Sequence, residues 1–333
     1  MKLDKALDAS GYPRDAVFIN VEGDDWEEHI DRSDTLVKEC TLSAKEIIDK
    51  IAGAGIVGMG GATFPTHVKL TPPPGTKAEV LIVNGVECEP YLTSDHQLMM
   101  EKTEEILVGT TLVMKALNVD KAIIGIENNK KDALARFKKS AKAYPDIQVE
   151  ALKVQYPQGG EKQLIDALLG RQVASGALPV SVGAVVQNVA TVFAIYEAVQ
   201  KNKPLVERVV TVTGKEVKRP GNLRARVGVP VSLLIDAAGG LPETTGKIIS
   251  GGPMMGKALA DIAVPVTKGT SGILLIPTLE ARRKAMKDCI RCAKCVAVCP
   301  MGLNPTLLMN LTEYEVWDRA EKNAITDCIE CGS

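Results

Sequence analysis

The chain has 333 residues, enough for about two domains at roughly 150 residues each. Lys plus Arg number 40 against 41 Asp plus Glu, a formal net charge of −1, so no bulk basic field exists to hold nucleic acid or an anionic membrane by charge alone. Aromatic residues, at 4%, are too few for base-stacking platforms, and the balance of 45% hydrophobic to 24% charged residues excludes disorder for most of the length.

Residues 1–30 carry Asp, Glu and Arg throughout and lack the apolar core of a secretory signal. No run of about 18 apolar residues is long enough to span a membrane, so a cytosolic chain is the default expectation. Peripheral attachment to a membrane complex leaves no hydropathy signature and stays open. "DAVFINVEGDD" (15–25) reads as one strand and a turn, without a partner in the neighbouring sequence. Ser43 and Glu46 form a capping-box signature, predicting a helix with Ile47, Ile48 and Ile51 on one face. That helix runs into a glycine-rich loop, "GAGIVGMGGATFPTHVK" (53–69).

"EVLIVN" (79–84) reads as a buried strand, and Ser94 with Gln97 predicts a second capping box opening one long helix to about Leu117. Strands at 121–127 and 148–154 alternate with helices at 130–142, 161–169 and 189–200. Such alternation argues for a parallel sheet covered on both faces. A new unit starts near Pro204: "RVVTVTG" (208–214), the turn "KRPGN" and "LRARVGVP" read as a hairpin, followed by a short helix from Val231 to Ala238. "GKIISGGP" (246–253) reads as a turn, "GILLI" (272–276) as a last strand, and Glu280 to Asp288 as a charged helix.

Eight cysteines stand at 40, 88, 289, 292, 295, 299, 328 and 331, and six of them fall in the last 45 residues. A disulfide framework would spread its cysteines, so the clustering points to a metal site in a reducing compartment. "CIRCAKCVAVCP" is C-x2-C-x2-C-x3-C-P, the ferredoxin run for 4Fe-4S clusters. Its soft thiolates suit cubane iron. Cys289, Cys292 and Cys295 wrap one cluster, while Cys299, before proline, ligates the other of a pair. Cys328 and Cys331 open a second run that stops at Ser333, so each cluster lacks one ligand in this sequence, which is expected to be clipped. A zinc knuckle and a single cluster with rearranged ligands are the alternatives. Cys40 and Cys88 read as small buried hydrophobes.

The glycine loop supplies Gly58, Gly60 and Gly61, whose backbone can approach a phosphate, with Lys69 to neutralise charge. It is neither G-x-G-x-x-G after a strand nor a Walker A loop. Asn84, Glu87 and Glu89 lie at the C-terminal end of a predicted strand, where open α/β sheets bind ligands. Gly160 and Glu161 occupy another strand-to-helix turn, and Asn188 and Thr191 a further one. Four loops could converge on one flat polar ligand, although each residue alone also reads as an ordinary cap.

Together these motifs resemble RnfC, the peripheral iron–sulfur subunit of the Rnf ion-translocating ferredoxin:NAD oxidoreductases, a family related to the flavin-bearing NADH-oxidising subunit of respiratory complex I. The complex I loop "GRGGAGFPTGLK" corresponds to "GMGGATFPTHVK" (58–69), and "NADExEP" to "NGVECEP" (84–90). "YxxGEETALI" corresponds to "YPQGGEKQLI" (156–165), and "NNVET" to "QNVAT" (187–191). An Arg of that pattern is Met59 here, an Asp is Val86 and a Glu is Gly160. "ISGGPMMG" (249–256) is also similar to the family.

The resemblance implies an α/β fold in parts. A lipoyl-like remnant would occupy 1–30, and a Rossmann-like parallel-sheet domain for FMN and NADH would span 31–203. A β-grasp SLBB module (204–247), a return segment and linker (248–278) and an incomplete 2×4Fe-4S ferredoxin-like domain (279–333) would follow. It implies FMN contacts from Gly58, Gly60, Gly61, Lys69, Asn84 and Glu87, and from Gly160, Glu161, Asn188 and Thr191. Phe64 and Glu89 would lie near the nicotinamide. Cofactors would be FMN, NAD(H) and two 4Fe-4S clusters held by Cys289, Cys292, Cys295, Cys299, Cys328 and Cys331. Partners would be the other Rnf subunits at the cytoplasmic face of the cell membrane, with electrons derived from ferredoxin. A soluble reductase of the cobalamin-reductase type and a non-catalytic wiring subunit are the rival readings. The scattered His29, His67 and His96 argue against a catalytic triad.

Overall fold

A computed structural model describes all 333 residues. The first strands, β1 (Lys2–Leu7) and β2 (Pro13–Phe18), form an antiparallel hairpin. The strand read from residues 15–25 therefore does have a partner, and it ends earlier than the sequence implied. The partner was missed because the "KLDKAL" of β1 is mostly exposed and offers no apolar run. The linking segment after it is latched by Trp26, whose ring lies 4.9 Å from Arg32, 5.6 Å from Arg226 and 5.9 Å from Lys203.

Helix α1 (Ala44–Gly53) starts at the predicted capping box, with the Ser43 and Glu46 side chains exchanging bonds with each other's backbone. The short α2 (Thr66–Lys69) follows the glycine loop. Then β3 (Val80–Gly85), α3 (Ser94–Glu101), α4 (Thr103–Leu117), β4 (Ala122–Glu127), α5 (Lys131–Ser140), β5 (Ile147–Leu152), α6 (Glu161–Leu169), β6 (Ala184–Asn188) and α7 (Val189–Gln200) complete a doubly covered unit. Its four strands are all parallel in the order β5-β4-β3-β6.

Alternation along β3 explains the two layers. Leu81 and Val83 join Ile106, Val113 and Ile195 of α4 and α7 in one core. Val80 and Ile82 face Leu164 and Ile165 of α6 in another. The helices α4 and α7 pack tightly at Gly109, where a Cβ would stand 2.5 Å from the Val192 carbonyl oxygen. Gly109→Ala is therefore expected to lower stability by about 1–3 kcal/mol, the usual cost of overpacking, measured as a lower urea midpoint.

The single long helix expected from Ser94 is broken at Lys102, and Ser94 does not cap it. The Glu87 carboxylate instead accepts the N–H groups of Asp95 and His96 at 2.7 and 3.0 Å. A side chain from another loop thus fills the role predicted for the helix's own serine.

The second unit is a five-stranded sheet with β7 (Glu207–Thr213), β8 (Gly221–Arg226), β9 (Thr245–Ser250), β10 (Lys257–Ala258) and β11 (Gly272–Pro277), in the order β10-β9-β11-β7-β8. Helix α8 (Val231–Ala237) packs Val231, Leu234 and Ile235 on Val210, Val212, Ile273 and Leu275, the layout of a β-grasp module. "GKIISGGP", read as a turn, is mostly strand β9, and it turns only from Gly251. The segment 248–278, expected as return and linker, thereby supplies β10 and β11 to the same sheet.

The charged helix expected at 280–288 is only α9 (Thr278–Ala281). Residues beyond it are exposed, Met286 at 99%, and a short helix without an apolar face to bury is marginal. The final segment carries α10 (Lys294–Val298), α11 (Pro305–Glu313) and α12 (Trp317–Lys322), packed through Leu303, Leu308, Leu311 and Ala320. No helix is long and apolar enough to cross a membrane.

Candidate functional site

Strands β3 and β6 end level with each other, Asn84 pairing in register with Asn188. The glycine loop closes over these ends, with the Gly58 N–H donating to the Phe64 carbonyl at 2.8 Å and Val57 bridging Pro65. The Met59 N–H donates to the Thr191 hydroxyl at 2.9 Å, pinning the loop to the first turn of α7. A Cβ on Gly60 would lie 3.4 Å from the Asn188 Cβ, so that side chain backs the loop closely. Gly61 adopts φ +125°, open only to glycine, and a Cβ there would meet nothing within 4 Å. The loop thus presents bare backbone toward open space, and Phe64 beside it is 52% exposed.

From the other side, the Asn84 amide donates to the Gly159 carbonyl at 2.9 Å, and Lys69 forms a half-buried ion pair with Glu161. Asn188 accepts from the N–H groups of Ala190 and Thr191, capping α7, and donates to Asp95 at 2.6 Å. The structure therefore gathers Gly58, Gly60, Gly61, Lys69 and Asn84 with Gly160, Glu161, Asn188 and Thr191. Phe64 lies at the rim. Thr66, just past the loop, and Gln187, just before Asn188, each hold a buried polar atom without a protein partner.

The two acidic residues of "VECEP" are engaged elsewhere. Besides capping α3, Glu87 adopts φ 49°, a left-handed turn held by the Lys130 ammonium, which donates to the Val86 carbonyl at 2.7 Å. Burial, and then the charge of Asp95, push the Glu87 carboxyl up to about 8. Asp95 is raised as well, by burial. Glu89 accepts the N–H groups of Met254 and Met255 at 3.1 and 2.8 Å, tying the "SGGPMMG" loop of the second unit to the end of the β3 segment.

A carboxyl raised in the fold keeps a proton that the unfolded chain, titrating near 4.5, has released. Its contribution is harmless below 4.5 and increasingly destabilising as pH rises from there to about 8. Glu87→Gln is expected to flatten that decline, read as urea midpoints compared between about pH 5 and pH 8.

None of the six clustered cysteines is in a disulfide, and no group of three or more His, Cys, Asp or Glu stands close enough to hold a single metal ion. Their loops are nevertheless shaped alike. The residue two places after Cys289 and the one two places after Cys328, Arg291 and Glu330, both adopt left-handed φ, 57° and 53°. The N–H of Arg291 points at Cys289 Sγ at 3.4 Å, and that of Leu303 at Cys299 Sγ at 3.4 Å. Backbone N–H groups aimed at sulfur, in a soft-thiolate set, suit a cluster ligand. Cys40 and Cys88 are half-buried, and burial raises the Cys88 thiol. His67 is half-buried on α2 rather than in open solvent.

Three residues of the site were missed from sequence. Asp95 was hidden inside an expected cap, and Lys130 inside an expected helix start. Arg208 is buried, and burial pushes its guanidinium down to about 10. Its signal was a lone cation leading an apolar strand, "RVVTVT".

Family models match three consecutive parts of the chain: a Nuo51 FMN-binding domain at 51–197, an SLBB domain at 209–258 and a 4Fe-4S dicluster domain at 282–333. The chain is 46% identical over 325 residues to the C subunit of the proton-translocating ferredoxin:NAD(+) oxidoreductase complex of Clostridium ljungdahlii, covering 96% of this chain and 70% of the relative. It is 46% identical over 286 residues to the Na(+)-translocating counterpart of Acetobacterium woodii, covering 86% and 65%. It is 41% identical over 299 residues to the C subunit of the ion-translocating oxidoreductase complex of Rhodobacter capsulatus, covering 89% and 57%. The chain thus spans between about half and seven-tenths of the length of these relatives. An NAD+-reducing [NiFe]-hydrogenase structure shares the fold, with a TM-score of 0.61 and 24% identity over 71% of this chain and 47% of that one. The collinear domains and these identities show that the chain belongs to the RnfC family, the C subunits of the ion-translocating ferredoxin:NAD(+) oxidoreductase complexes.

Proposed function

We propose that this chain is an electron-transfer subunit that binds FMN and NAD(H) at the ends of β3 and β6 and passes electrons to or from 4Fe-4S clusters in its C-terminal segment. It would do so at the surface of an ion-translocating membrane complex, attached peripherally, because no helix of its own is fit to cross the bilayer. The observation that carries the reading is the glycine loop over the ends of β3 and β6, open at Gly61, with Lys69 of the following helix paired to Glu161.

When bound there, FMN supplies the conversion between two-electron hydride exchange and one-electron cluster chemistry. The chain's own residues bind and orient. Gly60 and Gly61 offer N–H groups, and Lys69 a cation, to the phosphate, while Gly58 closes the loop through its bond to the Phe64 carbonyl. Asn84 and Glu161 shape the opposite wall, and Phe64 offers an aromatic face at the rim. Thr191 and Asn188 act from behind, fixing the loop and the start of α7. Glu87 and Glu89 hold backbone N–H groups, so their role is to set the wall rather than to meet the ligand directly. Cys289, Cys292, Cys295, Cys299, Cys328 and Cys331 would ligate iron.

The test is reconstitution with FMN followed by NADH. The expected result is a visible flavin band that NADH bleaches. A protein that takes up iron but no flavin would be a cluster-bearing wiring subunit instead.

A further inference from the structure

We propose that the two cluster ligand sets are not equivalent: the set containing Cys299, Cys328 and Cys331 sits on the flavin side, and the set containing Cys289, Cys292 and Cys295 faces outward. Electrons then cross the chain by way of the Cys299 set first. This inference rests on the electron-transfer reading above and adds the order within it.

The division into sets follows from the C-x3-C-P spacing, whose last cysteine serves the other cluster. Every hydrogen bond between the dicluster segment and the flavin-side unit falls beside that other set. The Tyr156 hydroxyl donates to the Cys331 carbonyl at 2.6 Å. Ser175 donates to Asp327, the residue before Cys328, at 2.7 Å. The Gln163 amide reaches the carbonyl of Pro300, the residue after Cys299, at 3.5 Å and the Met301 sulfur at 3.1 Å. Tyr156 and Gln163 belong to the same strand-to-helix turn as Gly160 and Glu161, and the Asn84 amide holds the Gly159 carbonyl in that turn. A single turn therefore carries proposed flavin contacts and grips the second cysteine set.

The "SGGPMMG" loop closes the remaining side. Glu89 binds its Met254 and Met255 N–H groups, and a Cβ on Gly332, next to Cys331, would lie 3.1 Å from the Met254 carbonyl oxygen. Residues 282–298, by contrast, make no hydrogen bond or ion pair to the flavin-side unit. Ile290, between Cys289 and Cys292, is 86% exposed; Cys328 is exposed as well, so it is the hydrogen bonds rather than exposure that separate the two sets. Because electron tunnelling weakens steeply with distance, the set docked on the flavin loops is the one reached first.

The electron count closes. NADH becomes NAD+ by giving up a hydride, which amounts to two electrons and one proton. The proton goes to solvent, the electrons leave singly, and each cluster accepts one without a bond forming or breaking at its cysteines.

The test uses the flavin- and cluster-loaded protein with Cys331→Ser or Cys292→Ser. Iron analysis and dithionite-reduced EPR identify which cluster each variant keeps. After Cys292→Ser, NADH is expected to reduce the remaining cluster. After Cys331→Ser, NADH is expected to bleach the flavin while the remaining cluster stays oxidised until dithionite is added. The reverse pattern, or NADH reduction of the remaining cluster in both variants, overturns the order. Failure of NADH to bleach flavin in the unmodified protein overturns instead the reading beneath it. Tyr156→Phe, which replaces no cysteine and removes only the hydrogen bond to the Cys331 backbone carbonyl, covers the case in which the serine variants do not assemble. It should slow NADH-driven cluster reduction but not flavin bleaching or iron content, and an unchanged rate of cluster reduction counts against the assignment.

Discussion

Replacing Lys69 by methionine is expected to weaken FMN binding by about ten- to a hundredfold, the equivalent of one charged hydrogen bond worth roughly 1.5–3 kcal/mol. The side chain reaches the site from α2 and is paired there with Glu161 across the cleft. That carboxylate is its protein partner, and the ammonium retains donors for a phosphate. Methionine keeps much of the length and the apolar stem, so a loss of affinity reports on charge rather than on packing. Flavin fluorescence titration gives the dissociation constant directly. An unchanged constant would mean that the phosphate is held by backbone N–H groups alone, and that the Lys69–Glu161 pair only closes the wall.

The largest stability effect is expected at a position remote from the loop glycines. Arg208 leads β7 of the second unit, where it donates to the Lys268 carbonyl and, through Nε, to the Val209 carbonyl at 3.3 Å. Its charge is felt by the buried Asp95, which in turn receives the Asn188 amide. Arg208→Met should therefore cost up to about 3 kcal/mol, the upper end for losing hydrogen bonds made by a buried charged group. Asp95→Asn removes the stranded charge and still accepts from Asn188, so the double variant should recover part of that loss. Urea unfolding of the four proteins forms a double-mutant cycle. Strictly additive effects would show that Arg208 acts through the Lys268 carbonyl and not through Asp95. Because Asn188 backs Gly60, the pair also couples the second unit to the glycine loop, and the single variant should lower flavin affinity along with stability.

Much of this protein was legible from residues in order. The near-continuous apolar runs of "EVLIVN" and "AIIGIE", separated by helix-length segments, pointed to a parallel sheet, since strands buried on both faces carry no polar alternation. The Ser43–Glu46 cap worked as predicted because its partners are three residues apart and need nothing else. The C-x2-C-x2-C-x3-C-P run named its chemistry for the same reason: three of the ligands that wrap one cluster are local in the chain.

What the tertiary structure alone decided was every contact made across sequence distance. Glu87, read as a ligand for a sugar hydroxyl, caps α3 in the fold, because the segment after β3 delivers it to two N–H groups that Ser94 leaves free. Glu89, read as a neighbour of the nicotinamide, also fastens a loop from residues more than 160 positions away, a contact no local pattern holds. The charged helix after Glu280 failed because helical periodicity without an apolar surface to bury does not cover the entropy of ordering it. Local patterns specify elements and ligand types, since their energies are settled within a few residues. Which side of the flavin loops a cysteine set docks on depends on where the parallel sheet, the β-grasp sheet and the last helices meet, and no window of the sequence contains that meeting.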